Sequence, residues 1–490
     1  MVKKHDRAEK YDTFNQAEKK GCRLMVTFFP QKISSAGIAL YIASLAVVSI
    51  AFINYALGFV WIALGLLGVI GFFAFSSNLT KTWQRSTPKD YTMKVFSVAL
   101  LLRLVWVVFS YFFYQSQTGQ PFEWGAADSL GYHYSAEWLA GEPWTVAWNY
   151  FFVNRRVVSD SGFVLWLTVL YKFFGVNIIF PRLLNTIFGA FTCVLLYKLA
   201  ARSINEQVGR MAGIFSMIMP NFIIYCGLHL KEVLMLFILV AFLERADYVL
   251  RASKVKFWNL VLPLVLAGSL FLFRTVLGAV AFFSFITAIL FSPTRVVKRG
   301  RKMVVVFWVV LAVIVLAGGV IMNEVESLWN ERYTNQESKR TEQTMRGNLW
   351  AKYASGTVMA PMVFVLPFST MVDTDQQNQA LIHGGNYIRN FMGVFAIIAL
   401  VDALFVKKNW RELSLIGSFA IAYLGIVSMS GFANSERFLL PGLPCLIVIW
   451  AYGISVLNAR NYKLVRVWYV IVPVMEIAWA YFKIGSRGLL

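Results

Sequence analysis

The sequence predicts an all-α polytopic membrane protein with about 13 transmembrane helices. Three observations carry this. Apolar residues make up 58% of the 490-residue chain and charged ones only 14%, with a mean hydropathy of +0.61, whereas a soluble domain is nearer half apolar and a quarter charged. The apolar residues gather in runs long enough to cross a hydrocarbon core. The net charge of +21 collects between those runs in alternate loops, as the preference of Lys and Arg for cytoplasmic loops requires. A soluble globular enzyme is excluded, because so apolar a chain could not cover its own surface. The positive charge carries topology, so no nucleic-acid partner is expected.

Residues 1–33 form a cytoplasmic tail rich in Lys and Arg, including Lys3, Lys4, Arg7, Lys10, Lys19, Lys20, Arg23 and Lys32. It is too long to be the basic start of a cleavable signal peptide. Two spans at 34–54 and 56–77 follow, then a core over 78–460 with spans near 95–114, 176–200, 211–227, 233–248, 257–273, 275–292, 304–322, 388–406, 413–430 and 438–457. A last span at 467–484 and a short tail complete residues 461–490. The loops holding Lys81 to Lys94, Arg202 and Arg210, Arg251 to Lys256, Arg295 to Lys302, Lys407 to Arg411 and Arg460 to Arg466 all fall on the side of the N-terminus. This predicts a multi-pass inner-membrane protein with a cytoplasmic N-terminus. The four cysteines, Cys22, Cys193, Cys226 and Cys445, have no zinc-like spacing.

Two long loops, 115–175 and 323–387, fall on the outer side. The first ends in FVLWLTVLYKFFG (163–175), too short to span and suited to lie in the interface. Most spans hold no ionisable residue, and the exceptions cluster at the outer ends.

Three outer constellations bear chemistry. In ADSLGYHYSAEWLAGEPW (127–144), Asp128 is placed to cap a helix from Ser129 to Ala140, and Tyr132, Ala136 and Leu139 share a face suited to resting on the membrane. In GLHLKEVLMLF (227–237), His229, Lys231 and Glu232 form a polar knot between two apolar runs, which a solvated turn would also explain. In NSERFLLPGLPCLIVIWAYG (434–453), Arg437 opens a span, as a snorkelling arginine would. Arg274 lies near the outer face, and Arg389 opens the span after the second loop. Such cations suit a lipid-linked phosphate or a lipid headgroup. His383, Asn386 and Tyr387 in HGGNYIRN read as a flexible turn around Gly384 and Gly385.

The order of these features resembles the GT-C superfamily of integral-membrane glycosyltransferases. It is closest in pattern to the family of protein O-mannosyltransferases and the bacterial lipid A aminoarabinose transferase. The resemblance rests on Asp128 followed by Tyr132, Ala136, Leu139 and Gly141, then Phe174–Gly175, Arg182–Leu183, a span with Pro220, the acidic turn at Glu232, and RFLLPGLP at Arg437. It covers roughly residues 95–460. Two departures stand out: Asp128 is followed by Ser129 where the family often pairs two acids, and two spans precede the family-like core.

The resemblance implies transfer of a sugar from a polyprenyl-phosphate donor to a glycan, lipid or protein acceptor outside the cytoplasm, with inversion. Asp128 would be the general base, with Glu232 as second catalytic carboxylate. Arg437, Lys231, Arg274 and Arg389 would hold the phosphate, with His229, Tyr132 and His133 as further substrate contacts. No cofactor is then required and no metal ligand set is assigned; a divalent cation, Mg or Mn, between Asp128 and Glu232 is the alternative. A polysaccharide polymerase or ligase using Arg332, Arg340 and Arg346 is a competing expectation. A non-enzymatic lipid or sugar carrier is another, and it predicts polar or broken helices at midplane.

Overall fold

A computed structural model describes residues 26–153, 161–252, 257–291, 362–428 and 435–485. The described residues form helices joined by short turns, and no strand occurs among them beyond an isolated bridge between Ala56 and Val372. Besides the short Trp144–Trp148 and Glu436–Leu439 and several single turns, the helices are α1 Gln31–Ala51, α2 Phe59–Thr82, α3 Pro88–Thr118, α4 Ala127–Gly141, α5 Ser161–Phe174, α6 Ile179–Ser203, α7 Glu206–Ile218 and α8 Pro220–Ile224. They continue with α9 Glu232–Arg251, α10 Phe257–Leu270, α11 Thr275–Phe291, α12 Gln377–Val401, α13 Ser414–Ser428, α14 Leu443–Ser455 and α15 Ala459–Gly485. Local sequence explains several ends. The Thr87 hydroxyl accepts from the Asp90 amide at 3.2 Å ahead of Pro88, and Gly119 stops α3 at φ 75°. The Asn205 side chain caps α7 through the Val208 amide at 2.9 Å.

Seven helices among the described residues are long and apolar enough to cross a membrane, or eight if the bent pair α7–α8 counts as one span. The chain is thus a multi-pass membrane protein, and the expected 13 spans are corrected. α10, α11 and α13 show 14, 17 and 15 described residues, each bordering residues outside the described ones, and are not among the seven. The longer α9 carries Glu232, Glu244, Arg245, Asp247 and Arg251. The expected span at 304–322 lies outside the described residues, as do Arg332, Arg340 and Arg346.

α6 packs on α3, α7 and α9, while α12 packs on α2, α14 and α15. The loops sort to two ends. At the basic end Arg210 donates to the carbonyls of Trp83 (2.8 Å) and Ser86 (2.8 Å), Arg251 to Glu412 (2.9 Å), and the Val26 amide to Ser455 (3.3 Å). At the other end Asn378 donates to the Trp124 carbonyl at 2.7 Å and Asp373 to Tyr55 at 2.8 Å. Among the described residues, the basic loops expected on one side meet at one end; Lys254, Lys256 and the loop from Arg295 to Lys302 lie outside the described residues.

Polar groups within helices are more numerous than expected. Pro220 breaks the α7–α8 run by 52°, freeing carbonyls that lipid cannot satisfy. Buried Arg103 of α3 answers them, donating to Ser216 and Met217 oxygens at 3.2 Å each. Gly189 leaves it room, since a Cβ there would lie 2.7 Å from Arg103 Nε. Arg103→Leu should lower the unfolding midpoint in detergent, on the order of 1–3 kcal/mol for each orphaned carbonyl. An unchanged midpoint would refute this role.

HGGNYIRN is corrected as well. It lies inside α12, which begins at Gln377. Gly384 lets the helix approach the Gly65 backbone of α2, where a Cβ would meet Gly65 oxygen at 3.0 Å. The glycines serve close helix packing rather than a turn.

Candidate functional site

The site lies at the end of the bundle opposite the basic loops. The 119–126 turn brings the chain back over it, and α4 starts at Ala127, two residues earlier than a cap at Asp128 would allow. Asp128 therefore caps nothing. Its carboxylate projects from the first turn of α4 and accepts from Arg437 Nη1. The face of α4 expected to rest on lipid is also reversed. Ala136 and Leu139 are buried, Tyr132 stacks edge-on against Phe163 of α5, and the outward residues are Tyr134 and Trp138.

Glu232 opens α9 after the turn at 228–231. Its Oε1 accepts from Arg437 Nε, with Arg274 Nη2 3.8 Å away. One guanidinium thus bridges both carboxylates. The two acids differ in access: the Asp128 side chain is 58% exposed and that of Glu232 is 0%. Arg274 is held by the Tyr423 hydroxyl at 2.9 Å and lies 4.5 Å over the Phe438 ring. Lys231 Nζ donates to the Phe273 carbonyl at 2.8 Å. Burial, then the Arg274 charge, pull the Lys231 ammonium down to about 7. Burial pushes the Tyr132 hydroxyl up to about 12.

Asp128, Glu232, Arg437, Arg274, Lys231 and Tyr132 thus converge. His133 and His229 form a neighbouring string instead. His133 Nδ1 is 2.9 Å from the Tyr171 hydroxyl, which is 3.2 Å from His229 Nε2. Burial lowers both imidazoles, which favours the neutral ring at pH 7. Arg389 does not open a span. It sits on α12 about 18 Å beyond Gln377, at 1.5 Å per residue. It is buried, and its three guanidinium nitrogens make no hydrogen bond among the described residues.

Three residues join the site that the sequence did not single out for it. Glu436 precedes Arg437 and accepts from the Tyr225 hydroxyl at 2.6 Å and Asn221 Nδ2 at 2.7 Å. Glu123 accepts from Ser129 at 2.5 Å, and burial outweighs that bond and raises its carboxyl. Arg182, noted only as an Arg-Leu motif, donates to the Pro121 carbonyl at 2.5 Å and lies 5.6 Å over the Phe122 ring. The adjacency of Glu436 to Arg437 was the one visible signal.

A cavity of about 300 Å³ opens beside Asp128 and Arg437. Glu123, Asp128, Glu436 and Arg437 line its polar side, while Leu228 and Ile382 are on its apolar side. Its size matches the lower range of small-molecule sites. Among the described residues no three His, Cys, Asp or Glu side chains gather as a metal-ligand group. An exposed carboxylate, a bridging guanidinium and apolar walls can together take a proton, hold an anion and admit a lipid-borne group. No family model matches the chain, and neither a curated protein nor a solved structure matches it.

Proposed function

We propose that the chain is a glycosyltransferase that moves a sugar from a polyprenyl-phosphate donor to an acceptor at the Asp128 end of the bundle, taken as the periplasmic side. The observation that carries the reading is Arg437 bridging exposed Asp128 and buried Glu232. Glu232 holds the guanidinium at the cavity edge. A donor phosphate competes with Asp128 for the same N–H groups, and its arrival frees Asp128 for an acceptor hydroxyl.

The step is a single displacement with inversion. The acceptor O–H gives its proton to Asp128 as its oxygen attacks the anomeric carbon. The bond from that carbon to the phosphate oxygen breaks, and its electron pair leaves with the lipid phosphate. Arg437, Lys231 and Arg274 stabilise that charge. Tyr132 and the His133–Tyr171–His229 string offer neutral hydrogen-bonding groups for sugar or acceptor. No cofactor is needed in this reading. A chelator-sensitive enzyme would instead put Mg or Mn between Asp128 and Glu232.

Lys231 gives a pH test. Its cation is present below about 7 and lost above it, while a phosphodiester donor keeps one charge across that range. Donor affinity should fall roughly tenfold from pH 6 to pH 8, the worth of a charged hydrogen bond. Lys231→Gln should flatten the profile. A parental profile already flat over this range would remove Lys231 from phosphate binding.

A second reading, a carrier, is favoured by the α7–α8 break and by buried Arg389 and Glu476 within helices. The two differ in one product. Transfer releases free polyprenyl phosphate, whereas carriage delivers the donor intact.

A further inference from the structure

At the basic end, between α11, α12, α13 and α14, an apolar cavity of about 230 Å³ opens at the bundle surface. Leu404, Trp410, Gly417, Ile421 and Tyr452 line it, and Leu404 and Ile421 are exposed on its outer side. The catalytic reading makes no use of it. Exposed cations stand at its mouth. Lys407 Nζ lies 5.3 Å over the Tyr452 ring and Arg411 5.5 Å over Trp410, both lining rings. Lys408 follows in the left-handed region at φ 55°, where Gly or Asn would sit at less cost. The charge of Lys408 thus stands beside two further cations on a backbone that costs a lysine more than a glycine. Of the nearby acids, Asp402 lies 3.8 Å from Lys407 and accepts from Tyr452 at 2.7 Å, while the Glu412 backbone carbonyl accepts from Arg251 and its carboxylate is exposed.

We propose that this cavity binds one acyl chain of an anionic phospholipid, whose phosphate is held by Lys407, Lys408 and Arg411. The apolar wall fits a chain and nothing polar. Cations at the same mouth, with Trp410 at the headgroup level, select a negative headgroup over a zwitterionic one. Gly417 faces open space, so none of the described residues fills the cavity there.

The test uses the full chain, delipidated in detergent and titrated with phosphatidylglycerol or phosphatidylcholine of identical chains, read by native mass spectrometry. Phosphatidylglycerol should be retained at least about fivefold more tightly. Lys407→Gln with Arg411→Gln should remove most of that preference. Gly417→Leu, which fills the cavity, should weaken both lipids. Lys408→Gly should raise the melting temperature while lowering phosphatidylglycerol retention, a split that a purely structural lysine would not give. Glycerol phosphate should not compete, since it lacks the chain. Equal retention of the two lipids, unchanged in the Lys407/Arg411 variant, would overturn the proposal, as would full competition by glycerol phosphate.

Discussion

Asp128→Asn is expected to slow sugar transfer by about 10²–10⁴-fold, the usual contribution of a positioned general base, with the fold unchanged. The side chain is exposed and its amide keeps the shape of the carboxylate, so stability should move by less than about 0.5–1 kcal/mol. Donor affinity should stay level or rise, because Arg437 then loses a competing anion. A folded Asp128→Asn protein that transfers at the parental rate would end the base assignment. Measuring transfer and melting temperature on the same preparation separates the two effects.

Arg437→Met is expected to cost both stability and transfer. Glu232 is fully buried and would lose its hydrogen-bonded guanidinium, leaving Lys231 and, at 3.8 Å, Arg274 as the remaining nearby cations. Stranding one partner of a buried pair costs about 3–5 kcal/mol, and losing a stabiliser of the leaving charge costs a further 10²–10³-fold or so in rate. Adding Glu232→Gln to Arg437→Met should recover much of the stability, since no buried charge is then left alone. It should not recover transfer. Denaturation midpoints of the parent, both single variants and the double variant give the coupling. A double variant that regains activity would make the pair structural only.

Helical class, the two leading helices, the short α5 and the sorting of loops into two ends were legible, because periodicity, run length and Lys/Arg placement act locally. The number of spans was not. The charges of α9 sit within a run that reads as apolar, and α10, α11 and α13 each border residues outside the described ones. The convergence of Asp128, Glu232 and Arg437 was legible as sidedness, while their direct pairing was not. Arg437 pairs with Asp128 across more than half the chain, and no local pattern encodes that contact. Arg389 was misplaced because a polar stretch with two glycines reads as a loop, whereas Gly384 serves the approach of α12 to α2. Arg103 was missed because its partners are carbonyls released by Pro220, a consequence of a break seen only in three dimensions. Glu123 escaped notice because its role depends on the turn that folds it under Ser129.

The most direct test of the account is a single-turnover reaction with a labelled polyprenyl-phosphate sugar and the reconstituted protein, scored for free polyprenyl phosphate. The account predicts release by the parent, and a loss of about 10²–10⁴-fold in Asp128→Asn at undiminished donor binding. Equal release by both proteins, or intact donor delivered across the membrane with no free polyprenyl phosphate, would contradict it.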